Sequence, residues 1–172
     1  STTIPATCGS VYANCSVTVT PVEAETVILN NSTLSMKIGE SQTLVASVLP
    51  DNTTDPTVTW TSSDKAVATV DSEGKVNGVA VGEATITATC GNVSATCVVT
   101  VNPVLPESVT LNKTSFELLV GASETLTATV LPDNTTYKTV VWASDDEDIA
   151  TVDENVGVTG VGVGTVLIRA TF

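Results

Sequence analysis

Two pairs of cysteines are the residues best placed to do chemistry. Cys8 and Cys15 form one Cys-x6-Cys pair, and Cys90 and Cys97 form another. Strand-like alternation around the second pair puts Ile86, Ala88 and Cys90 on one face and Cys97, Val99 and Val101 on the same inward face. Cβ atoms across a hairpin can approach the ~4 Å that a disulfide requires, if the turn register makes them face. The alternative is a pair of buried thiols acting as small apolar side chains. No other reactive group accompanies these cysteines, so the expectation is disulfides Cys8–Cys15 and Cys90–Cys97. Each would close a short loop and chiefly lock a hairpin. Zinc is not expected: a structural site takes four ligands, and the chain has no histidine.

Other chemistry finds less support. Without histidine there is no Ser-His or Cys-His couple. The acidic run SDDEDIA (144–150) and the PDNTTD turn could offer carboxylates to Ca²⁺. However, no D-x-D-x-D-G loop is present, and the run precedes a strand as a solvated turn would. Gly160-Val-Gly-Val-Gly164 has no helix after it and reads as a turn, not a phosphate loop. Asn-x-Ser/Thr sequons occur at Asn14, Asn30, Asn31, Asn52, Asn92, Asn112 and Asn134, and in a Thr-rich chain most arise by chance. No enzyme and no cofactor are expected.

The elements that must carry these residues are strands. The 172 residues are rich in β-branched Val and Thr, and no long stretch shows apolar residues at helical spacing. An all-β protein follows. The net charge of −13, with only six basic residues, argues against nucleic acid or an anionic membrane as partner. The acidity suits a solvated β surface that resists edge-to-edge association. No apolar run is long enough to cross a bilayer, and no basic start followed by an apolar segment marks a leader. Membrane insertion is not expected, and any anchor is expected outside these residues.

The sequence repeats itself. Shifted by 82 positions, it aligns without a gap from Thr3 to Phe172. Cys8 falls on Cys90, Cys15 on Cys97, Trp60 on Trp142, and LPDNTT at 49–54 on LPDNTT at 131–136. A fixed gapless period signals tandem domains. Residues 22–103 make one complete unit. Residues 104–172 begin another and stop where the first reaches Cys90. Residues 1–21 correspond to the tail of a unit. Two explanations stand. The chain is a slice of a longer array, or residues 9–20 supply the last strand to a neighbouring molecule. Residues 3–8 duplicate a strand that 165–172 already provide, which favours the slice.

Within the complete unit, short strands alternate with turn signals: VILN (27–30), LSMKI (34–38), SQTLVASVLP (41–50), TVTWTS (57–62), AVATVD (66–71), KVNGVAV (75–81), and a final hairpin of EATITATC (83–90) and SATCVVTV (94–101). Seven or so such strands suggest a β-sandwich, with Trp60 and Trp142 as core residues between sheets. The pattern resembles the bacterial immunoglobulin-like domain, group 2. The matching residues are L-x-V-G (Leu118, Val120, Gly121), L-x-A-x-V-x-P (Leu44, Ala46, Val48, Pro50), V-x-W-x-S (Val58, Trp60, Ser62), V-A-x-V-D (Val67, Ala68, Val70, Asp71), G-x-V-x-G-V (Gly74, Val76, Gly78, Val79) and G-x-A-x-I-x-A (Gly82, Ala84, Ile86, Ala88). The second unit departs at Ile149, and VGVTG (156–160) shifts a glycine by one place.

The resemblance implies tandem immunoglobulin-like β-sandwiches. Residues 1–21 would be the C-terminal hairpin of a preceding or swapped unit, 22–103 a complete domain, and 104–172 a domain lacking its last strand. It also implies an extracellular structural or adhesive role at a bacterial surface or on a phage virion. Three functions compete: a stiff spacer, a direct adhesin for host glycan or protein, and a filament subunit joined by strand donation from residues 9–20. The expected partners are neighbouring Ig-like domains or subunits, with a host cell-surface protein or glycan as the further candidate. Glycan binding favours exposed aromatics, and only Tyr12, Tyr137, Phe116 and Phe172 are available.

Overall fold

A computed structural model describes residues 2–172 and contains strands but no helix among them. The chain divides into two compact units, residues 1–101 and 102–172. It begins with a hairpin, β1 (Thr2–Cys8) and β2 (Val11–Val17), turned at Gly9-Ser10. Gly9 has φ +60°, the left-handed region that a two-residue hairpin turn needs. Every described residue up to Glu23 is exposed.

The rest of the first unit carries β3 (Thr26–Leu29), β4 (Thr33–Lys37), β5 (Ser41–Thr43), β6 (Ala46–Leu49), β7 (Thr59–Ser62), β8 (Ala68–Val70), β9 (Lys75–Gly78), β10 (Gly82–Cys90) and β11 (Val93–Asn102). A four-stranded sheet runs in the order β4-β11-β10-β7. Two smaller sheets, β5-β9-β8 and β3-β6, complete the unit. The run at 41–50, expected as one strand, divides at Leu44-Val45. There the Leu44 N–H donates to the Gly74 carbonyl and the Val45 N–H to Asn30 Oδ1, so its two halves join different sheets.

Packing follows from the period-2 pattern of β10 and β11. Their inward residues face two apolar clusters. Ala84, Ile86, Cys97, Val99 and Val101 pack with Leu34, Met36, Leu44, Ala68 and Val76. Nearer the turn, Ala88 and Cys90 pack with Val27 and the β6 residues Ala46 and Val48. Trp60 is half-buried and touches both clusters. Gly74 lets the backbone pass it: at φ +81°, a Cβ there would stand 2.5 Å from the Leu44 carbonyl oxygen and 2.9 Å from the Trp60 ring.

The second unit repeats most of this with β12 (Ser108–Leu111), β13 (Ser123–Thr125), β14 (Ala128–Leu131), β15 (Val141–Ser144), β16 (Ala150–Val152), β17 (Gly157–Gly160) and β18 (Ile168–Thr171). The pairings β12-β14, β13-β17-β16 and β15-β18 reproduce β3-β6, β5-β9-β8 and β7-β10. Two strands have no counterpart. None lies beside β18 on the side where β11 flanks β10, and residues 115–119, aligned with β4, form no strand. The core is correspondingly small: Leu126, Ala150 and Val158 are buried, and Trp142, Phe116, Leu118, Val166 and Ile168 pack around them half-exposed. Val156 occupies the Gly74 position and keeps the same left-handed turn at φ 64°, with its carbonyl accepting from the Leu126 N–H.

Candidate interaction surfaces

The four cysteines are free thiols, and the expected disulfides are not formed. Register is the reason. The tight turns pair Cys90 with Val93 and Cys97 with Ile86, four positions further along the ladder. At ~3.3 Å per residue the two cysteines stand ~13 Å apart, well beyond the ~7 Å limit for a bridge. The first hairpin is identical in this respect: Cys8 faces Val11 and Cys15 faces Ile4. Alternation correctly places both members of a pair on one face, but it does not make them face each other. Cys90 and Cys97 are instead buried among apolar side chains, with the Cys90 thiol directed at the Asp55 carbonyl oxygen, 3.4 Å away. Burial pushes the Cys97 thiol pKa up and keeps it protonated. Cys8 and Cys15 are exposed.

Several aspartates are engaged in local turns. Asp71 Oδ1 accepts from the Glu73 and Lys75 N–H groups, and Asp153 Oδ1 accepts from those of Asn155 and Gly157. Asp64 and Asp146 cap the turns before β8 and β16 in the same way. These are Asx turns, in which a side chain stands in for a backbone acceptor. Among the described residues no three acidic or cysteine side chains converge to hold a metal ion. Within the SDDEDIA run, Asp145 makes a two-pronged pair with Arg169, at 2.6 and 2.8 Å. The guanidinium holds the Asp145 carboxyl below its usual range.

Two surfaces remain as contact candidates. An open depression of about 340 Å³ lies over Trp60, with Leu44, Pro56, Val58 and Glu73 on its walls. Its counterpart residues in the second unit include Lys138 for Pro56 and Asn155 for Glu73, so the repeat does not preserve it. The second surface is the outer hairpin, where Ile4, Val11 and Tyr12 are all well exposed, as is Val19 just after it. Of the aromatics weighed for glycan contact, Tyr12, Tyr137 and Phe172 are exposed, whereas Phe116 packs on the second core with Lys113 Nζ 5.9 Å from its ring centroid.

One structural device was not anticipated. The Val104 N–H donates to Thr136 Oγ1, the Thr136 N–H donates to the Val104 carbonyl, and buried Thr135 adds its hydroxyl to that same carbonyl. Val22 is tied to Thr54 by the first two of these bonds. The signal lay in the LPDNTT repeat: its threonines pin the residue that follows each linker proline. No helix among the described residues is long and apolar enough to cross a membrane.

Comparison with known proteins agrees with the repeat. Residues 23–101 and 107–172 each match the bacterial Ig-like domain (group 2) family. An uncharacterized Clostridium acetobutylicum protein is 34% identical over 152 residues, covering 87% of this chain and 16% of that protein. The Ig-like virion protein of Serratia phage KSP90 is 36% identical over 164 residues, covering 86% of this chain and 59% of the phage protein. A 3-O-alpha-D-galactosyl-alpha-L-arabinofuranosidase of Bifidobacterium longum subsp. longum is 60% identical over 55 residues, 32% of this chain and 5% of the enzyme. The chain thus spans less than two thirds of each of these relatives. With the same segment matched twice, on strands that repeat with the same pairings, the chain belongs to the bacterial Ig-like domain (group 2) family.

Proposed function

We propose that this chain is a non-enzymatic extracellular module, a stiff spacer of tandem Ig-like domains that presents binding parts at a bacterial surface or on a phage virion. The observation that carries this reading is the linker. Strand β11 runs to Asn102, and Val104 is already fastened to Thr135 and Thr136. Only Pro103 lies between, and its ring fixes φ near −65°. A one-residue linker with a locked dihedral leaves little room for swivel. The virion relative supports the setting, since it is an Ig-like protein of a phage virion. Catalysis is not part of the proposal, because the acidic side chains of the turns serve backbone N–H groups. In the arabinofuranosidase the match covers a small fraction of the enzyme, as an accessory domain would.

The test measures distance between spin labels, one on exposed Thr61 and one on exposed Thr139. A spacer gives one narrow distribution, and inserting Gly-Ser-Gly after Pro103 broadens it. A broad distribution in the unaltered chain would remove the basis for the spacer. A glycan array with reproducible hits, lost on Tyr12→Ala or Tyr137→Ala, would replace it with direct adhesion.

A further inference from the structure

The sandwich of the first unit is open along one side. Strand β7 pairs with β10 alone and ends its sheet. Beside it the chain crosses from β5 to β6 at Leu44-Val45, and the turn between β8 and β9 brings up Ser72 and Glu73. The depression of about 340 Å³ lies among these three segments, within the size range of small-ligand sites. Its floor and one wall are apolar, formed by Leu44, Pro56, Val58 and the half-exposed Trp60. Its rim is polar, formed by Thr43, Ser72 and Glu73, and no basic residue lines it. The rim groups are uncommitted, unlike their neighbours. Asp71 Oδ1 serves the Glu73 and Lys75 N–H groups, and the Ser62 and Ser63 hydroxyls are spent on the Ala68 carbonyl and the Thr85 N–H. Among the described residues, the Glu73 carboxylate belongs to neither ion pair, and no hydrogen bond holds the Thr43 or Ser72 hydroxyl.

We infer that this depression is a binding site for one uncharged sugar ring of a glycan. The inference goes beyond the spacer reading and does not depend on it, since a stiff bead can carry a contact site on its side. A sugar ring has a C–H face and an edge of hydroxyls. The first suits an indole and the apolar residues around it, whose burial supplies the driving force. The second needs donors and acceptors at the rim, which two hydroxyls and one carboxylate provide. A carboxylate is the stronger partner, because a hydrogen bond to an ionised acceptor is about twice as strong as a neutral one. The same carboxylate selects against acidic sugars. With no base in the lining and a net charge of −13 on the chain, a sialylated or uronic ring meets only repulsion there. The repeat supplies a natural comparison. Leu126 and Trp142 repeat the floor, but the rim is rebuilt with Lys138, Glu154 and Asn155 in place of Pro56, Ser72 and Glu73. The turn beneath is the same in both, with Asp71 Oδ1 accepting from the Glu73 N–H and Asp153 Oδ1 from the Asn155 N–H. The site therefore belongs to the first unit alone, and the second unit's residues can be moved into it without disturbing the turn.

Trp60 is its own reporter. In the 172-residue chain carrying Trp142→Phe, fluorescence is titrated with maltotriose, xylotriose, chitotriose, lactose and sialyllactose. The expected result is a saturable change with at least one of the neutral sugars, at a Kd on the order of 1 mM for so open a site. The chain carrying Trp60→Phe, which reports through Trp142, shows none. Equal changes in both chains would mean quenching without a site and would overturn the inference. So would the absence of a saturable change with all four neutral sugars. Pro56→Lys/Glu73→Asn installs the second unit's residues, and it is expected to weaken binding roughly tenfold or more while the urea midpoint stays in place. Unaltered binding in that variant would place the sugar elsewhere. Glu73→Gln keeps the shape and removes the charge. It is expected to weaken the neutral sugar and to bring sialyllactose within a few-fold of lactose. Sialyllactose binding as tightly as lactose in the parent chain would refute the selection against acidic sugars.

Discussion

The two units present the same isoleucine in different surroundings, and this makes a sharp experiment. Ile86 in β10 is fully buried, flanked by β7 and β11 and packed against β5-β9-β8. Ile168 in β18 is its repeat counterpart, but it is half-exposed because only β15 flanks it. Truncating a buried isoleucine to alanine removes its transfer free energy and leaves a cavity, together ~3–4 kcal/mol. At a half-exposed site the transfer contribution roughly halves and the cavity is open to water, leaving ~1–2 kcal/mol. Ile86→Ala is therefore expected to destabilise its unit about twice as much as Ile168→Ala. Each unit holds one tryptophan, so Trp142→Phe isolates the first unit's fluorescence and Trp60→Phe the second's. Urea unfolding of each unit reports the two changes separately. Equal losses, or a larger loss at Ile168, would show that β11 is not what closes the first core.

Other outcomes follow from the same geometry. In native protein a thiol reagent should modify exposed Cys8 and Cys15 quickly and buried Cys90 and Cys97 only on unfolding; four equally fast thiols would contradict the packing. Gly74→Ala should destabilise the first unit by ~2 kcal/mol or more, because it sets a Cβ against the Leu44 carbonyl and the Trp60 ring in a left-handed backbone; thermal unfolding within error of the parent would refute that reading. The folded Asp145 carboxyl titrates below its ordinary value of 3.8, so its pairing with Arg169 stabilises above that value and is lost as pH falls through the lower, folded one. The pair is exposed, so the effect is small and weakened by salt. In Arg169→Gln the Asp145 carboxyl resonance should titrate at higher pH, and an unmoved titration would sever the link.

What the sequence disclosed and what it withheld separate along physical lines. Period-2 alternation reports which face of a strand is buried, because side chains point alternately to either side. Hence the inward sets Ile86, Ala88, Cys90 and Cys97, Val99, Val101 are all buried. It does not report register, which a turn of two residues decides, and the cysteine bridges failed on that point alone. Likewise the run at 41–50 reads as one alternating strand, since Leu44, Ala46 and Val48 do share an inward face. Its division between sheets depends on two hydrogen bonds from distant residues, Gly74 and Asn30, and nothing local announces them.

The repeat shows a further separation between what a segment encodes and what it becomes. The pattern V-x-A-x-C-x-V-x-V occurs at 11–19 and at 93–101. In one place it is a strand whose inward residues Cys97, Val99 and Val101 are buried, and in the other an exposed hairpin arm with the residues that follow it. Residues 33–37 form a strand, whereas the aligned residues 115–119 do not. In the first comparison both segments are paired strands and the difference is the apolar surface beneath them; in the second, residues 33–37 have a neighbouring strand to supply hydrogen bonds and residues 115–119 have none. Strand propensity measures fit to such a surface rather than an autonomous backbone preference. A strand of this family is thus conditional on its neighbour.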